Sequence, residues 1–557
     1  MSTVAQGIVS FFEAQGVERL FCVPGESYLP LLDALYDSAI DTIVCRHESG
    51  AAIAAEASGK LSGRPGIAAV TRGPGATNAS AGLHIAEHDA TPMILLVGQI
   101  GRGMRGRGAF QELDIVRFFS GIAKWSVEID AAGRVPELLS RAFHVAMSGR
   151  PGPVVLGLPE DLLAEPLAEQ AFRRVEVAEP APSVEHIDRL VETLCAARAP
   201  LLLLGGSRWD QMAVAAAQRF AHDWDLPVAC SFRRQMLFDH LHPNYAGDLG
   251  FGVNPRLATR IRESDLLLLV GGRLAEVPSQ GYDLLEIPTA DEKLVHVHPD
   301  PAELGRVYQP ILAINATPGA FLQGVNGRAA PERAPWSEHT RQAHADYLQW
   351  SQPAAAADGG IRLEAVFDWL ERQLPGDAIL TNGAGNYSAW LHRFHRFRAF
   401  GTQLAPVSGS MGYGLPAAIA AALAQPGCPV LCFAGDGCFQ MTGQEFATAV
   451  QYRLPLIVLL IDNGMYGTIR MHQERRYPGR VIASDLQNPD FVALARAYGG
   501  YGEWVERSGD FPAAFRRAQA SGLPALLHLP VDPELLTPTV SLAQLSAAAA
   551  SGGQSAG

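Results

Sequence analysis

Residues 428–463 read CPVLCFAGDGCFQMTGQEFATAVQYRLPLIVLLIDN, and their punctuation decides the fold. An apolar run ends in Gly435-Asp436-Gly437, a stretch with apolar positions at helical spacing follows, and a second apolar run ends in Asp462-Asn463. The order this predicts is strand, helix, parallel strand. Asp436 and Asn463 are 27 residues apart and then lie beyond the carboxyl ends of two successive strands, on one sheet edge. Glycines in the turn let backbone N–H groups approach an anion such as a phosphate. Arg453 is the only basic residue in the stretch, so a bound phosphate must find its counter-charge elsewhere. Two oxygen side chains so placed can hold one hard cation, and Mg2+ completes its shell with phosphate oxygens and water. A GDG alone is a weak signal and reads more readily as a helix cap. Its interval to Asn463 and the intervening strand-helix-strand favour the metal-diphosphate reading.

The same plan recurs outward along the chain. In residues 1–165, RLFCVPGE, DTIVCRHE, GIAAVTRGPGA, PMILLVGQ and GPVVLGLPED are apolar runs that end in turn residues and alternate with helical stretches. That is the pattern of a parallel sheet covered by helices. VEVAEPAPSVE (175–185) reads as a linker, and a second unit follows with PLLLLGGS, DLPVACSF, SDLLLLVGGR and KLVHVHPDP. Residues 326–358, with GRAAPERAP and SQPAAAADGG, read as a second linker. A third unit carries AILTNGAG, PVLCFAGDG, LPLIVLLIDN and ALLHLPVD. The predicted fold is α/β, with three doubly wound parallel-sheet domains at 1–170, 185–325 and 355–540. The low-complexity end, 541–557, is expected to be a flexible tail. The first and third units share a plan without an obvious sequence repeat.

Bulk properties bound the function. A chain of 557 residues needs about three or four domains. With 44 basic and 57 acidic residues the net charge is −13, which argues against nucleic acid or an anionic membrane as the main partner. Seven cysteines without CxxC spacing fit reduced thiols in a cytoplasm rather than a zinc site. No apolar run approaches the ~18 residues of a membrane helix. The start, MSTVAQGIVSFFEAQGV, enters an amphipathic helical pattern at once, so no targeting segment is expected.

At the GDG-to-Asn interval the chain resembles the thiamine diphosphate (ThDP) enzymes, over roughly residues 1–535. The resemblance implies pyrimidine-binding, middle and diphosphate-binding domains, in that order. It implies that Asp436, Asn463 and the carbonyl of Met465 hold Mg2+, with Gly435, Gly437, Cys438, Tyr466 and Gly467 beside the cofactor. In TNGAGNYSAW, it places Ala384, Gly385, Asn386 and Tyr387 against the diphosphate. In GSMGYGLPAAIAAAL, it gives Gly409 a carbonyl contact to the 4′-amino group and wedges Met411 between the cofactor rings. In RHESGAAIAAEASGKLSG, Glu48 takes the role of the family's glutamate. Sheltered from water, such a carboxyl has a raised pKa and can share a proton with N1′ of the aminopyrimidine. The family's site lies between the first domain of one subunit and the third of another, so a homodimer at least is implied, and a homotetramer is expected.

The closest flavour is acetolactate synthase-like, on RHESGAA, TRGPGATN, GRGAFQELDIV, SGRPGPVVLGLPED and DNGMYGTIRMHQ. Phe110 and Gln111 fall where that group lines its active site. Four positions depart from the group. Asp462 replaces the first of two asparagines. Gly25-Glu26 replaces Gly-Gly and adds a carboxylate near the cofactor. Glu160 replaces a lysine, and His472 replaces a tryptophan. Decarboxylation of a small 2-oxo acid and transfer of the acyl unit to an aldehyde or ketone is the implied reaction, with a negatively charged acceptor expected to fare worse. FAD is left open and not favoured: Gly205-Gly206 and Gly271-Gly272-Arg273 follow strands, but RLAEVPSQGY lacks the arginine and aspartate cluster expected after the second pair. A flavin-dependent 2-oxo acid oxidase and a non-catalytic cofactor-binding protein are the alternatives. A nicotinamide dehydrogenase is disfavoured because no GxGxxG opens a helix with an acid about 20 residues on.

Overall fold

Each apolar run quoted above forms a parallel strand in the computed structural model, which describes residues 2–550 apart from 169, 292 and 354–358. In the N-terminal sheet these are β1 (Arg19–Cys22), β2 (Asp41–Val44), β3 (Gly66–Val70), β4 (Met93–Gln99), β5 (Trp125–Glu128) and β6 (Pro153–Pro159), in the order β2-β1-β3-β4-β6-β5. The central strands are buried on both faces, with all seven residues of β4 and all seven of β6 inside. Such burial explains why they read as unbroken apolar runs rather than alternating ones.

The middle sheet comprises β7 (Pro200–Leu204), β8 (Val228–Ser231), β9 (Tyr245–Leu249), β10 (Leu266–Val270), β11 (Lys293–His298) and β12 (Leu312–Asn315), in the order β9-β8-β7-β10-β11-β12. This is the order of a dinucleotide-binding fold. Its two glycine pairs have a structural use of their own. Gly206 and Gly271 both take positive φ, at +68° and +78°, and a Cβ on Gly206 would sit 1.7 Å from the Gly271 carbonyl oxygen. The turns after β7 and β10 therefore press backbone against backbone, a contact only glycine permits.

The C-terminal sheet comprises β13 (Ile379–Asn382), β14 (Gln403–Leu404), β15 (Val430–Gly435), β16 (Ile457–Asp462), β17 (Tyr501–Trp504) and β18 (Ala525–Pro530), in the order β14-β13-β15-β16-β18-β17. Counted from the first strand, this is 2-1-3-4-6-5, the same order as in the N-terminal sheet. The shared plan of the first and third domains is thus a shared topology. The chain forms two compact units, one of residues 2–178 with 419–425, the other of 179–418 with 426–550.

Two expectations are corrected. The segment read as a linker, 326–358, contains a helix, Ser337–Trp350, which buries Ala343 and Tyr347. Just before it, buried Trp336 donates from Nε1 to the Trp224 carbonyl at 3.1 Å. Asp346 on this helix pairs with Arg256 and Arg260 at 2.6 and 2.9 Å, so long-range partners turn a polar stretch into a packed helix. The tail expected from 541 onward begins instead as a helix, Leu542–Ala550, in keeping with the high helix propensity of alanine. Leu542 is buried with Met465, Met471 and Leu536, and Ser546 donates to Glu474 at 2.6 Å. Residues 551–557 lie outside the described residues. No helix among the described residues is long and apolar enough to cross a membrane.

Candidate active site

Gly435 closes β15, and Asp436 starts a short helix, Asp436–Gln440, directly after it. The aspartate is 3% exposed. One of its oxygens accepts from Asn488 Nδ2 at 2.7 Å, and the same nitrogen reaches Asp462 Oδ1 at 2.8 Å. Burial, and then the nearby charge of Asp462, push the Asp436 carboxyl up to about 6. Asp462 is held down, against its own burial, by the hydrogen bond with His528 at 2.8 Å and by the Gly464 N–H. Asn463 follows β16 and accepts from the Met465 N–H at 3.3 Å.

All fourteen residues singled out in the third domain line one cavity of about 610 Å3: Ala384, Gly385, Asn386, Tyr387, Gly409, Met411, Gly435, Asp436, Gly437, Cys438, Asn463, Met465, Tyr466 and Gly467. His472 lines it as well, and partial burial together with Arg475 and Arg476 lowers its pKa. Two of its glycines are pressed closely by neighbouring side chains. A Cβ on Gly437 would lie 2.6 Å from the Tyr466 ring, and one on Gly467 would lie 2.8 Å from Asn463 Nδ2. Tyr387 is fixed by its hydroxyl, which accepts from the Gly383 N–H at 3.1 Å and donates to Cys438 Sγ at 3.4 Å. Thr468 donates to Asn386 Oδ1 at 2.8 Å.

The first domain presents a different edge. Glu48 opens the helix Glu48–Ser62 after β2 and accepts from Asn78 Nδ2 at 3.0 Å. It is half-buried, so the shelter expected around it is incomplete within this chain. Phe110 is 76% exposed. Gln111, at φ +62°, packs its backbone on Gly73, where a Cβ would meet the Gln111 carbonyl oxygen at 2.8 Å. Its buried Oε1 has no hydrogen-bond partner among the described residues. Gly25 packs against Thr71, where a Cβ would lie 2.6 Å from the threonine Cβ. Glu26 and Glu160 both pair with Arg72, at 3.2 and 3.1 Å.

Arg72 and Asn488 carry no weight in the sequence reading. Arg72 had one signal, a long cation in an otherwise small-residue turn after a buried strand. Asn488 had none, because it reaches the site from a loop after the helix Gly467–Arg476. Residues 535–540, read only as the close of the third domain, also line the cavity.

Comparison with known proteins places this geometry in a class. Three family models match: the N-terminal thiamine pyrophosphate (TPP) binding domain of thiamine pyrophosphate enzymes at residues 2–118, their central domain at 187–325, and their C-terminal TPP binding domain at 383–529. The chain belongs to the acetolactate synthase-like family of thiamine pyrophosphate enzymes. It is 32% identical over 534 residues to the acetolactate synthase isozyme 2 large subunit of Escherichia coli (strain K12), covering 95% of each chain. It is 32% identical over 536 residues to an acetolactate synthase of Mycobacterium bovis, covering 93% of this chain and 86% of that one. A probable acetolactate synthase large subunit of Methanocaldococcus jannaschii is 29% identical over 553 residues, with 96% and 93% covered.

Proposed function

We propose that the chain is a ThDP- and Mg2+-dependent decarboxylase and carboligase that acts on a small 2-oxo acid and transfers its acyl unit to an aldehyde or ketone. The observation that carries this reading is the single cavity that gathers Asp436, Asn463 and Met465 with the glycine-rich turns after β13 and β15. One carboxylate, one amide oxygen and one backbone carbonyl form a hard donor set that suits Mg2+ and leaves places for phosphate oxygens. Glycine-rich turns let backbone N–H groups approach a diphosphate beside that ion. When bound, the cofactor supplies an electron sink for the electrons released as carbon dioxide leaves.

The chain's own residues do the rest. Asp436, Asn463 and the Met465 carbonyl anchor the metal, and the turn at Ala384–Tyr387 flanks the diphosphate. Gly409 and Met411 position the rings. Glu48 would hold a proton at N1′ of the aminopyrimidine and so orient and activate that ring. Phe110 and Gln111 face the substrate. Exposed Phe110 and half-buried Glu48 are groups that a second subunit would cover, which supports a homodimer at least, within a proposed homotetramer. Seven cysteines without a disulfide support a reducing, cytoplasmic setting. FAD is no part of this reading, because the glycine pairs of the middle domain are engaged with each other.

The test is incubation of the protein with pyruvate and a panel of aldehydes and ketones, with ThDP and Mg2+ present or omitted. Carboligation products that depend on both additions are expected. Decarboxylation without the additions, or no turnover of any 2-oxo acid with them, would overturn the reading.

A further inference from the structure

We propose that Glu26, Arg72 and Glu160 form a charge gate that turns away carboxylate-bearing acceptors and admits uncharged ones. The proposal rests on the carboligase reading and names the acceptor class for it. The three residues follow β1, β3 and β6, so all stand at the carboxyl edge of one parallel sheet, where ligands of such sheets bind. Glu48 follows β2 at the same edge.

Arg72 is the buried member, its side chain 10% exposed, whereas those of Glu26 and Glu160 are 62% and 35% exposed. Each terminal nitrogen of the guanidinium is held by a different carboxylate, NH2 by Glu26 Oε1 at 3.2 Å and NH1 by Glu160 Oε2 at 3.1 Å. The cation is thus spent inside the cluster, and what faces outward is carboxylate. Two negative charges and one positive leave the cluster at −1. Two cations of the loop after β4 are committed elsewhere. Arg102 is committed to Asp161 at 2.9 Å and to Glu165, and Arg105 to Glu128. An approaching carboxylate therefore meets net repulsion, and an uncharged carbonyl does not; the 2-oxo acid donor meets the same repulsion, which cancels when two acceptors compete for one donor.

The test is a competition, with pyruvate as donor, between 2-oxobutyrate and propanal, which differ by the carboxylate. Wild type is expected to favour propanal. The double variant E26Q/E160Q frees the guanidinium and takes the cluster from −1 to +1. It should move the product ratio toward 2-oxobutyrate by about 10–100-fold, at roughly three- to tenfold per charge for separations near 6 Å and effective dielectrics of 40–80. Arg72→Met takes the cluster to −2 and should move the ratio the other way by about three- to tenfold. Arg72→Lys keeps the charge and should keep the ratio. Loss of packing alone would move both kinds of variant in the same direction. The single variants E26Q and E160Q, each at a partly exposed position, should give intermediate shifts and serve where the double variant folds poorly. Products formed at an unchanged ratio in the glutamine variants, or a shift of the same sign in Arg72→Met, would overturn the gate alone. Absence of any carboligation product from wild type would overturn the carboligase reading, and the gate with it.

Discussion

The first and third domains have the same strand order and use their sheet edges in different ways. The third-domain edge is built from glycine turns, one buried aspartate and amide groups, with Arg233, Arg393 and Arg475 on the cavity wall. The first-domain edge carries Glu48 beside Asn78 and the Glu26–Arg72–Glu160 cluster. On the proposed reading, one topology serves as an anchor for a diphosphate and metal, and also as an edge that handles protons and charge. The anchor needs space and hard oxygens. The other edge needs titratable groups whose partners set their orientation.

The contrast is most easily broken by attacking the anchor. Stripping the metal with a chelator, or making Asp436→Ala, should reduce ThDP binding and turnover to background, and only the stripped wild type should recover when ThDP and Mg2+ are restored. Calorimetric titration and a decarboxylation assay read both. Full turnover in rigorously metal-free protein would show that the third-domain edge is no metal anchor.

A smaller effect is expected one shell out. Asn488 orients Asp436 without belonging to the proposed donor set, so Asn488→Ala should weaken Mg2+ affinity by about 10–100-fold, as loss of an outer-shell partner does. Saturating Mg2+ should restore much of the turnover. An unchanged Mg2+ titration would remove Asn488 from the account.

The smallest effect sharpens the description of the cavity wall. Asp248 lines the cavity, and burial pushes its carboxyl up to about 7 despite a hydrogen bond from Gln235 Nε2 at 3.1 Å. The folded state then keeps the proton to higher pH than the unfolded chain, whose aspartate titrates near ~4. Stability that is present below ~4 is lost as pH rises through about 7. Asp248→Asn does not titrate, so between pH 5 and 8 it should gain stability over wild type, on the order of 2 kcal/mol. Thermal melting of the two proteins across that range reads the difference. Parallel melting profiles would place Asp248 in a more solvated setting.

The fold was legible where strands are central and obscure at the rims. The runs that mark β4, β6, β10 and β16 are apolar throughout because both faces are covered. Five of the six edge strands, β5, β9, β12, β14 and β17, escape such a reading. Edge strands carry mixed patterns such as Trp125–Glu128 (WSVE) and Tyr501–Trp504 (YGEW), since one side of the ladder is unpaired. The site divides in the same way. Asp436 and Asn463 could be found because each directly follows a strand. The Arg72 cluster could not, because its members stand past the ends of three different strands that only the fold brings together. The helix Ser337–Trp350 was hidden for a related reason, its polar residues finding partners on the helix Pro255–Arg262, far away in sequence.

The division between anchoring edge and reactive edge is tested most directly by Glu48→Gln. Its affinity for ThDP and Mg2+ should stay close to that of wild type, because the anchors lie in the third domain. Exchange of the C2 proton of bound ThDP for deuterium, followed by NMR after acid quench, should slow by about 10²–10⁴-fold, the range of a lost acid–base group. Exchange at the wild-type rate in a variant that binds the cofactor normally would contradict the account.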